Sequence, residues 1–366
     1  MGGAAEMLYD HIGTQLRMLC DAIGLSPAAP LTGLRDLLGP VGQRPLHEPP
    51  LWPTDISDDH SPVEFSVACE ANQAPTLRIL GERMGALPDR RTNLRAALEL
   101  VRTLTGRLGL SLDHFDSVRP VFLDRDPSAD FALWFSMVYR PESPAELKVY
   151  LNPETHGPLR ASQLVADALT RLGLAGAYAT TLRYGVRPGE LNRLDRFAFF
   201  ALDLHDQPHS RVKLYLSHFD SDAAHLARAA SAVPGVDGGL VRDFLGVAGC
   251  PGPLTGRPAV SGYTFVRGDT DRPSTYSLYL PIRDYVGDDE QARDRVFAVL
   301  DRFGLDTAVI DRAIAAVARR PLDEGPGLIA HVSLRLAAHR PPGVTVYLSS
   351  EAYSHQRVPA HSGSET

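Results

Sequence analysis

Along much of the chain, hydrophobic residues recur with a period of two in short runs, and these runs come in pairs. A period of two places alternate side chains on opposite faces of a strand. The second run of each pair ends in a tyrosine followed by an aliphatic residue: Leu147-Lys148-Val149-Tyr150-Leu151, Val212-Lys213-Leu214-Tyr215-Leu216, Ser277-Leu278-Tyr279-Leu280 and Thr345-Val346-Tyr347-Leu348. Their tyrosines lie 65, 64 and 68 residues apart. A weaker fifth member, Thr76-Leu77-Arg78-Ile79-Leu80, ends 70 residues before Tyr150 and carries Leu80 at the tyrosine place. A near-constant spacing of this kind marks an internally repeated structural unit.

Each of these runs follows another β-rich run, at residues 64–69, 131–139, 197–204, 260–266 and 328–337. The stretches between partners are rich in proline, glycine, asparagine and aspartate, the composition of hairpin loops. Five hairpins, or ten strands, are therefore predicted. Between hairpins the period changes to about 3.6. Leu94, Leu98, Val101, Leu104 and Leu108 share one helix face, as do Val296, Val299, Leu300 and Phe303. Ten antiparallel strands are near the number at which a sheet closes and removes its edges. Such a barrel is wider than the eight-stranded kind that side chains fill, so a ligand-sized lumen is expected. The predicted fold class is α+β: a ten-stranded antiparallel β-barrel ringed by α-helices in five helix-hairpin repeats. One domain is expected over residues 1–357, with a disordered tail at 358–366. Strands in hairpin pairs argue against Rossmann and TIM folds, and neither G-x-G-x-x-G nor G-x-x-x-x-G-K-[ST] occurs.

Alternation also assigns the faces. Leu147, Val149, Leu151 and their counterparts should meet the helices, which turns Lys148 and Tyr150, Arg211, Lys213 and Tyr215, Ser277 and Tyr279, and Thr345 and Tyr347 toward the lumen. On the first strand of the last pair, Val332, Leu334 and Leu336 face outward, so His331, Ser333 and Arg335 face inward. A single lysine or tyrosine of this kind is ordinary on a solvated strand. Recurrence at one place in successive repeats points instead to a chemical task. Lysine and arginine can hold a diphosphate through charge-assisted hydrogen bonds. Tyrosine faces can stabilise an allylic cation and keep water from it. An allylic diphosphate is the ligand this lining suits.

Composition narrows the partners. Over 366 residues, 44% hydrophobic and 22% charged, the chain reads as an ordinary globular protein. A net charge of -7 argues against nucleic acid or an anionic membrane as the main partner. No apolar run is long enough for a membrane span and no leader is evident, so a cytoplasmic location is expected. Cys20, Cys69 and Cys250 form no C-x-x-C pair and are expected to be buried, reduced and uninvolved in zinc binding. Asp58-Asp59 is followed by His60-Ser61-Pro62, a poor arrangement for a hard cation, so no metal is expected there. Asp288-Asp289-Glu290 reads as the acidic first turn of a helix. The thirteen histidines show no ligand spacing and are expected mostly on the surface.

The run Ile56-Ser57-Asp58-Asp59-His60-Ser61-Pro62-Val63-Glu64-Phe65-Ser66, followed by the Lys-x-Tyr and Arg-x-Lys-x-Tyr strands, resembles the dimethylallyltryptophan synthase family of aromatic prenyltransferases. The resemblance spans nearly the whole chain. It implies the ABBA prenyltransferase barrel, and transfer of a dimethylallyl group from dimethylallyl diphosphate to the indole ring of L-tryptophan without metal or cofactor. By the same resemblance Glu64 matches the glutamate that accepts a hydrogen bond from the indole N–H. Arg78, Lys148, Arg211 and Lys213 match diphosphate ligands, with Arg335 beside them. Tyr150, Tyr215, Tyr279 and Tyr347 match the tyrosine shield, and Ile56 and Arg196 join Glu64 in acceptor binding. Two departures bear on specificity. Ser277 stands where some fungal relatives carry glutamine, and residues 131–139 contain no lysine, whereas relatives that prenylate indole C4 have a catalytic lysine there. C4 is thereby disfavoured. The Ala-, Arg- and Gly-rich composition resembles that of bacterial relatives, some of which alkylate the benzenoid carbons, so C6 is the expected position, with C7, C5 and N1 as alternatives. Other acceptors consistent with the residues are a cyclic dipeptide, an alkaloid or a phenol. A non-catalytic binding barrel is disfavoured, because it would not need a diphosphate nest. A monomer or homodimer is expected.

Overall fold

The ten alternating segments form β1 (Val63–Glu70), β2 (Thr76–Glu82), β3 (Leu133–Tyr139), β4 (Glu146–Leu151), β5 (Asp195–Asp203), β6 (Val212–His218), β7 (Ala259–Phe265), β8 (Thr275–Leu280), β9 (Ile329–Ala337) and β10 (Gly343–Ser349). The computed structural model describes residues 5–123, 129 and 131–353, and the tail expected at 358–366 lies outside the described residues. Sequential strands pair antiparallel, and β1 pairs with β10 to close the barrel. Closure leaves no unpaired edge for another chain to extend.

Each hairpin follows two helices: α1 (Leu8–Ala22) and α2 (Ala28–Leu38), α3 (Arg90–Leu108) and α4 (Asp113–Phe122), α5 (Ala161–Arg171) and α6 (Ala175–Gly185), α7 (Ala223–Ala230) and α8 (Gly239–Val247), α9 (Asp289–Arg302) and α10 (Thr307–Val317). The pattern predicted α3 and α9 clearly. Shorter helices such as α4, which contains Pro120, give too few turns for a face to stand out.

The outward residues of the strands and the apolar helix faces form one core between barrel and ring. Leu147, Val149, Leu151, Val332 and Leu334 are fully buried there. Burying a side chain of this size stabilises the fold by roughly 1.5–3 kcal/mol. The alternation thus holds the opposite set in the lumen.

Two register shifts adjust that alternation. Between β9 and β10, Tyr347 pairs with His331 but Leu348 with Ile329, which passes over Ala330. Strict alternation would turn Ile329 inward with His331. The extra residue lets Ile329 stay in the core while His331 remains on the lumen face, a common use of a bulge. Between β5 and β6 the shift passes over Ala198, between the pairs Phe197 with Leu216 and Phe199 with Tyr215.

Two expectations need correction. Asp288 caps α9, accepting a hydrogen bond from the Gln291 N–H at 2.8 Å, but Asp289 is not a solvated first-turn acid. It is fully buried, pairs with Arg320, and accepts from the backbone N–H groups of Leu328 and Ile329 at 3.0 and 2.8 Å. A buried carboxylate needs such partners, and these fix the start of β9. Nor are the histidines uniformly at the surface. His218 and His225 are buried around Asp195, whose carboxylate lies 2.7 Å from His218 Nδ1 and 2.9 Å from Arg187 Nη2.

The three cysteines are buried free thiols. No helix among the described residues is long and apolar enough to cross a membrane.

Candidate active site

The lumen contains two adjoining chambers. One, of about 880 Å³, is lined by Arg78, Lys148, Arg211, Lys213 and Arg335. The other, of about 940 Å³, is lined by Ile56, Glu64 and Arg196, together with Trp134, Phe199, Arg283 and His331. Tyr150, Tyr215, Tyr279 and Tyr347 line both, and Leu80 stands at the fifth position as the repeat predicts. Every site residue expected from the sequence is therefore brought to one lumen. Successive tyrosine rings are 5.8, 5.7 and 5.9 Å apart between centroids, a continuous arc between the chambers.

The repeat ties this arc together. Lys148 Nζ donates to the Tyr215 hydroxyl at 2.8 Å, and Lys213 Nζ to the Tyr279 hydroxyl at 2.7 Å, so each lysine reaches the tyrosine of the next repeat. The ammonium groups also lie 4.7 and 5.0 Å from the ring centroids of Tyr150 and Tyr215, within cation–π range. Gly262 makes room for this packing: a Cβ there would meet Lys213 Cε at 3.0 Å and Tyr279 at 3.2 Å. Ser277 Oγ lies 3.4 Å from Lys213 Nζ, so the serine that replaces glutamine still faces the cations.

The first chamber is short of negative charge. Burial, then the neighbouring cations Lys213 and Arg211, push the Lys148 ammonium well below its ordinary pKa. Burial, then Arg211 and Arg78, do the same to Lys213. Asp203, almost wholly buried, accepts from the Arg211 backbone N–H at 3.0 Å and from Nη2 at 3.1 Å. Glu70 pairs with Arg335 at 2.8 Å. The Arg78 guanidinium has no hydrogen bond or ion pair with another described residue, and only its backbone is tied into the β2 ladder. A polyanion entering this chamber would favour the charged form of both lysines and accept several hydrogen bonds at once.

The second chamber is aromatic with one carboxylate. Phe131 stacks on Trp134 at 3.9 Å, and Phe199 lies 5.6 Å from both Trp134 and Tyr215. Glu64 is buried and its pKa is pushed up to about 8, chiefly by burial, with Arg283 opposing and Asp58 reinforcing the shift. Arg196 reaches Glu154 at 2.6 Å on the chamber wall. Asp58 and Asp59 have protein partners: Asp58 pairs with Arg257 at 2.9 Å and Arg283 at 3.2 Å, while Asp59 accepts from Ser61 Oγ and the Tyr353 N–H, each at 2.8 Å.

Sequence reasoning missed Trp134, Phe199, Arg283 and Asp203. The register supplies the absent signal for two of them, since Trp134 pairs with Tyr150 and Phe199 with Tyr215, both lumen-facing. Residues 131–139 are too uniformly apolar to show a phase. Asp203 pairs with Lys148 across β4 and β5, which a cross-strand charge search could have found. Arg283 sits in a short turn after β8, where no period applies.

A chamber lined by basic side chains, a tyrosine arc and an aromatic chamber with a carboxylate suit a barrel enzyme that moves a cationic group from a phosphorylated donor to an aromatic acceptor. The family model for tryptophan dimethylallyltransferase matches residues 32–232. The chain is 54% identical to the 6-dimethylallyltryptophan synthase from Micromonospora olivasterospora in complex with DMASPP and Trp, with 95% of this chain and 98% of that one covered and a TM-score of 0.91. It is 38% identical to the 5-dimethylallyltryptophan synthase from Streptomyces coelicolor, covering 96% and 99% with a TM-score of 0.88. The prenyltransferase PriB, in a ternary complex with L-tryptophan and dimethylallyl thiolodiphosphate, matches at 40% identity over 95% and 97% with a TM-score of 0.88. The chain belongs to the tryptophan dimethylallyltransferase family.

Proposed function

We propose that the protein transfers a dimethylallyl group from dimethylallyl diphosphate to C6 of the indole ring of L-tryptophan and releases diphosphate. The observation that carries this reading is the arc of four tyrosines shared by a cationic chamber and an aromatic chamber. Identity to the 6-dimethylallyltryptophan synthase, 54% against 38% for the 5-synthase, supports C6.

Arg78, Lys148, Arg211, Lys213 and Arg335 hold the diphosphate and stabilise the charge that develops as its bond to the prenyl carbon breaks. Tyr150, Tyr215, Tyr279 and Tyr347 face the allylic cation, excluding water. Glu64 accepts a hydrogen bond from the indole N–H, a bond that strengthens as positive charge spreads over the ring. Ile56 and Arg196 hold the amino-acid end of the acceptor. The bond from the prenyl carbon to C6 forms, and the ring then loses the C6 proton and regains aromaticity. The buried, unpaired thiols suit a cytoplasmic location.

Incubation with dimethylallyl diphosphate and L-tryptophan, followed by NMR of the product, tests the proposal. The expected product is 6-dimethylallyl-L-tryptophan. Substitution at another ring position refutes C6, and turnover only with a different acceptor refutes tryptophan.

A further inference from the structure

Loss of the ring proton needs a base, and the roles above leave none free for it. Glu64 is engaged by the indole N–H, in the plane of the ring. The lysines and Arg78 belong to the donor chamber. Among the described residues that line the acceptor chamber, the titratable group whose place fits is His331, on β9. It lines the acceptor chamber and not the donor chamber. Its Nδ1 lies 4.0 Å from Glu64 Oε2, and its ring stands edge-on to Tyr347 at 6.0 Å between centroids. No hydrogen bond to another described residue occupies either ring nitrogen. The bulge at Ala330 keeps the imidazole on the lumen face while the residues before it return to the core.

We propose that His331 is the base that removes the proton from the alkylated ring carbon. The inference rests on the prenyl-transfer reading above. In the pose this proposal requires, the indole N–H points at Glu64 and the benzenoid edge lies against His331 beside that carboxylate. The prenyl carbon arrives from the tyrosine arc, and the hydrogen leaves within the acceptor chamber that His331 lines. The C–H electron pair returns to the ring and the proton goes to an imidazole nitrogen. The imidazolium so formed gains from the neighbouring Glu64 carboxylate. Burial, then Arg283 and Arg257, hold the free imidazole well below its ordinary pKa, so it is neutral and able to accept. The charged or titratable groups facing it are Glu64 on β1, Tyr347 on β10, Arg283 after β8, and Arg257 before β7.

Two variants separate chemistry from packing. His331→Gln keeps polarity and His331→Phe keeps an aromatic ring, but neither can take the proton. Both should bind dimethylallyl diphosphate with unchanged affinity, which also certifies the barrel as folded. Turnover of tryptophan should fall about a hundredfold or more in both, as expected for loss of a positioned base. The isotope effect on kcat with indole-ring-deuterated tryptophan should rise to about 2 or more, because proton loss becomes limiting. Turnover within about threefold of native in either variant, or a slow variant with an unchanged isotope effect, overturns the assignment. Failure of the native protein to form any ring-prenylated tryptophan would instead remove the reading on which this base depends.

Discussion

Replacing Glu64 with glutamine should stabilise the empty protein while slowing its reaction, and the stabilisation should have a defined pH signature. Glu64 is 4% exposed, and burial raises its pKa from an ordinary 4.5 to about 8. Below pH 4.5 the group is neutral in both folded and unfolded chains and costs nothing. As pH rises from there to about 8, the unfolded chain releases a proton that the folded one retains, so stability falls. Each pH unit in this window costs about 1.4 kcal/mol. The penalty is therefore about 3 kcal/mol at pH 7 and about 5 kcal/mol above pH 8. Glutamine does not titrate and escapes it. With an unfolding entropy of about 2.1 cal/mol/K per residue over 366 residues, Glu64→Gln should melt about 1 °C higher at pH 5 and about 4 °C higher at pH 7. Calorimetry without ligands across this range measures the difference. In the same variant, turnover should fall about a hundredfold, comparable to loss of one preorganised electrostatic group, with donor affinity little changed. A melting difference independent of pH, or one that shrinks as pH rises, would refute the burial account. Near-normal turnover would remove Glu64 from acceptor activation.

Lys213→Ala should weaken donor binding about tenfold or more, as loss of a charge-assisted contact predicts, measured by titration with dimethylallyl diphosphate. Tyr215→Ala should instead raise the fraction of prenyl alcohol in the product, while Tyr215→Phe, which keeps the ring, should not; equal hydrolysis in both would refute the shield. Asp203→Asn should lower stability by about 2 kcal/mol in urea unfolding, since it leaves the half-buried Arg211 among other cations without its carboxylate. Turnover should persist in excess chelator if, as proposed, the five basic side chains neutralise the leaving diphosphate as a divalent metal would; complete loss restored by magnesium would refute that.

The barrel was legible because its signal is repeated. A single Lys-x-Tyr strand is ambiguous, but tyrosines spaced 65, 64 and 68 residues apart fix strand number, hairpin pairing and the inward face together. That inward face carried the cations, the tyrosines and Arg335 directly into view. What escaped notice lacks a repeating partner. Phe199 lies beside a bulge that breaks the parity on which inward and outward were assigned. Asp289 resembles any acidic helix start, and only the fold shows Arg320 and the start of β9 converging on it. His218 and His225 become buried because Asp195, distant in sequence, reaches both.

The two chambers are strained in opposite senses, and this bears on how they act together. In one, burial and mutual repulsion disfavour the ammonium forms of Lys148 and Lys213; in the other, burial disfavours the carboxylate form of Glu64. Each cost falls on the protein before substrate arrives and is relieved by the ligand proposed for that chamber: the diphosphate favours ammonium, and the ring's growing positive charge favours carboxylate. The ionised arrangement useful for reaction is thus stabilised most fully when both chambers are filled. The tyrosines between them add neither charge nor a competing carboxylate nucleophile. An arc of phenols therefore separates the two charged regions while leaving an allylic cation room to pass from one to the other.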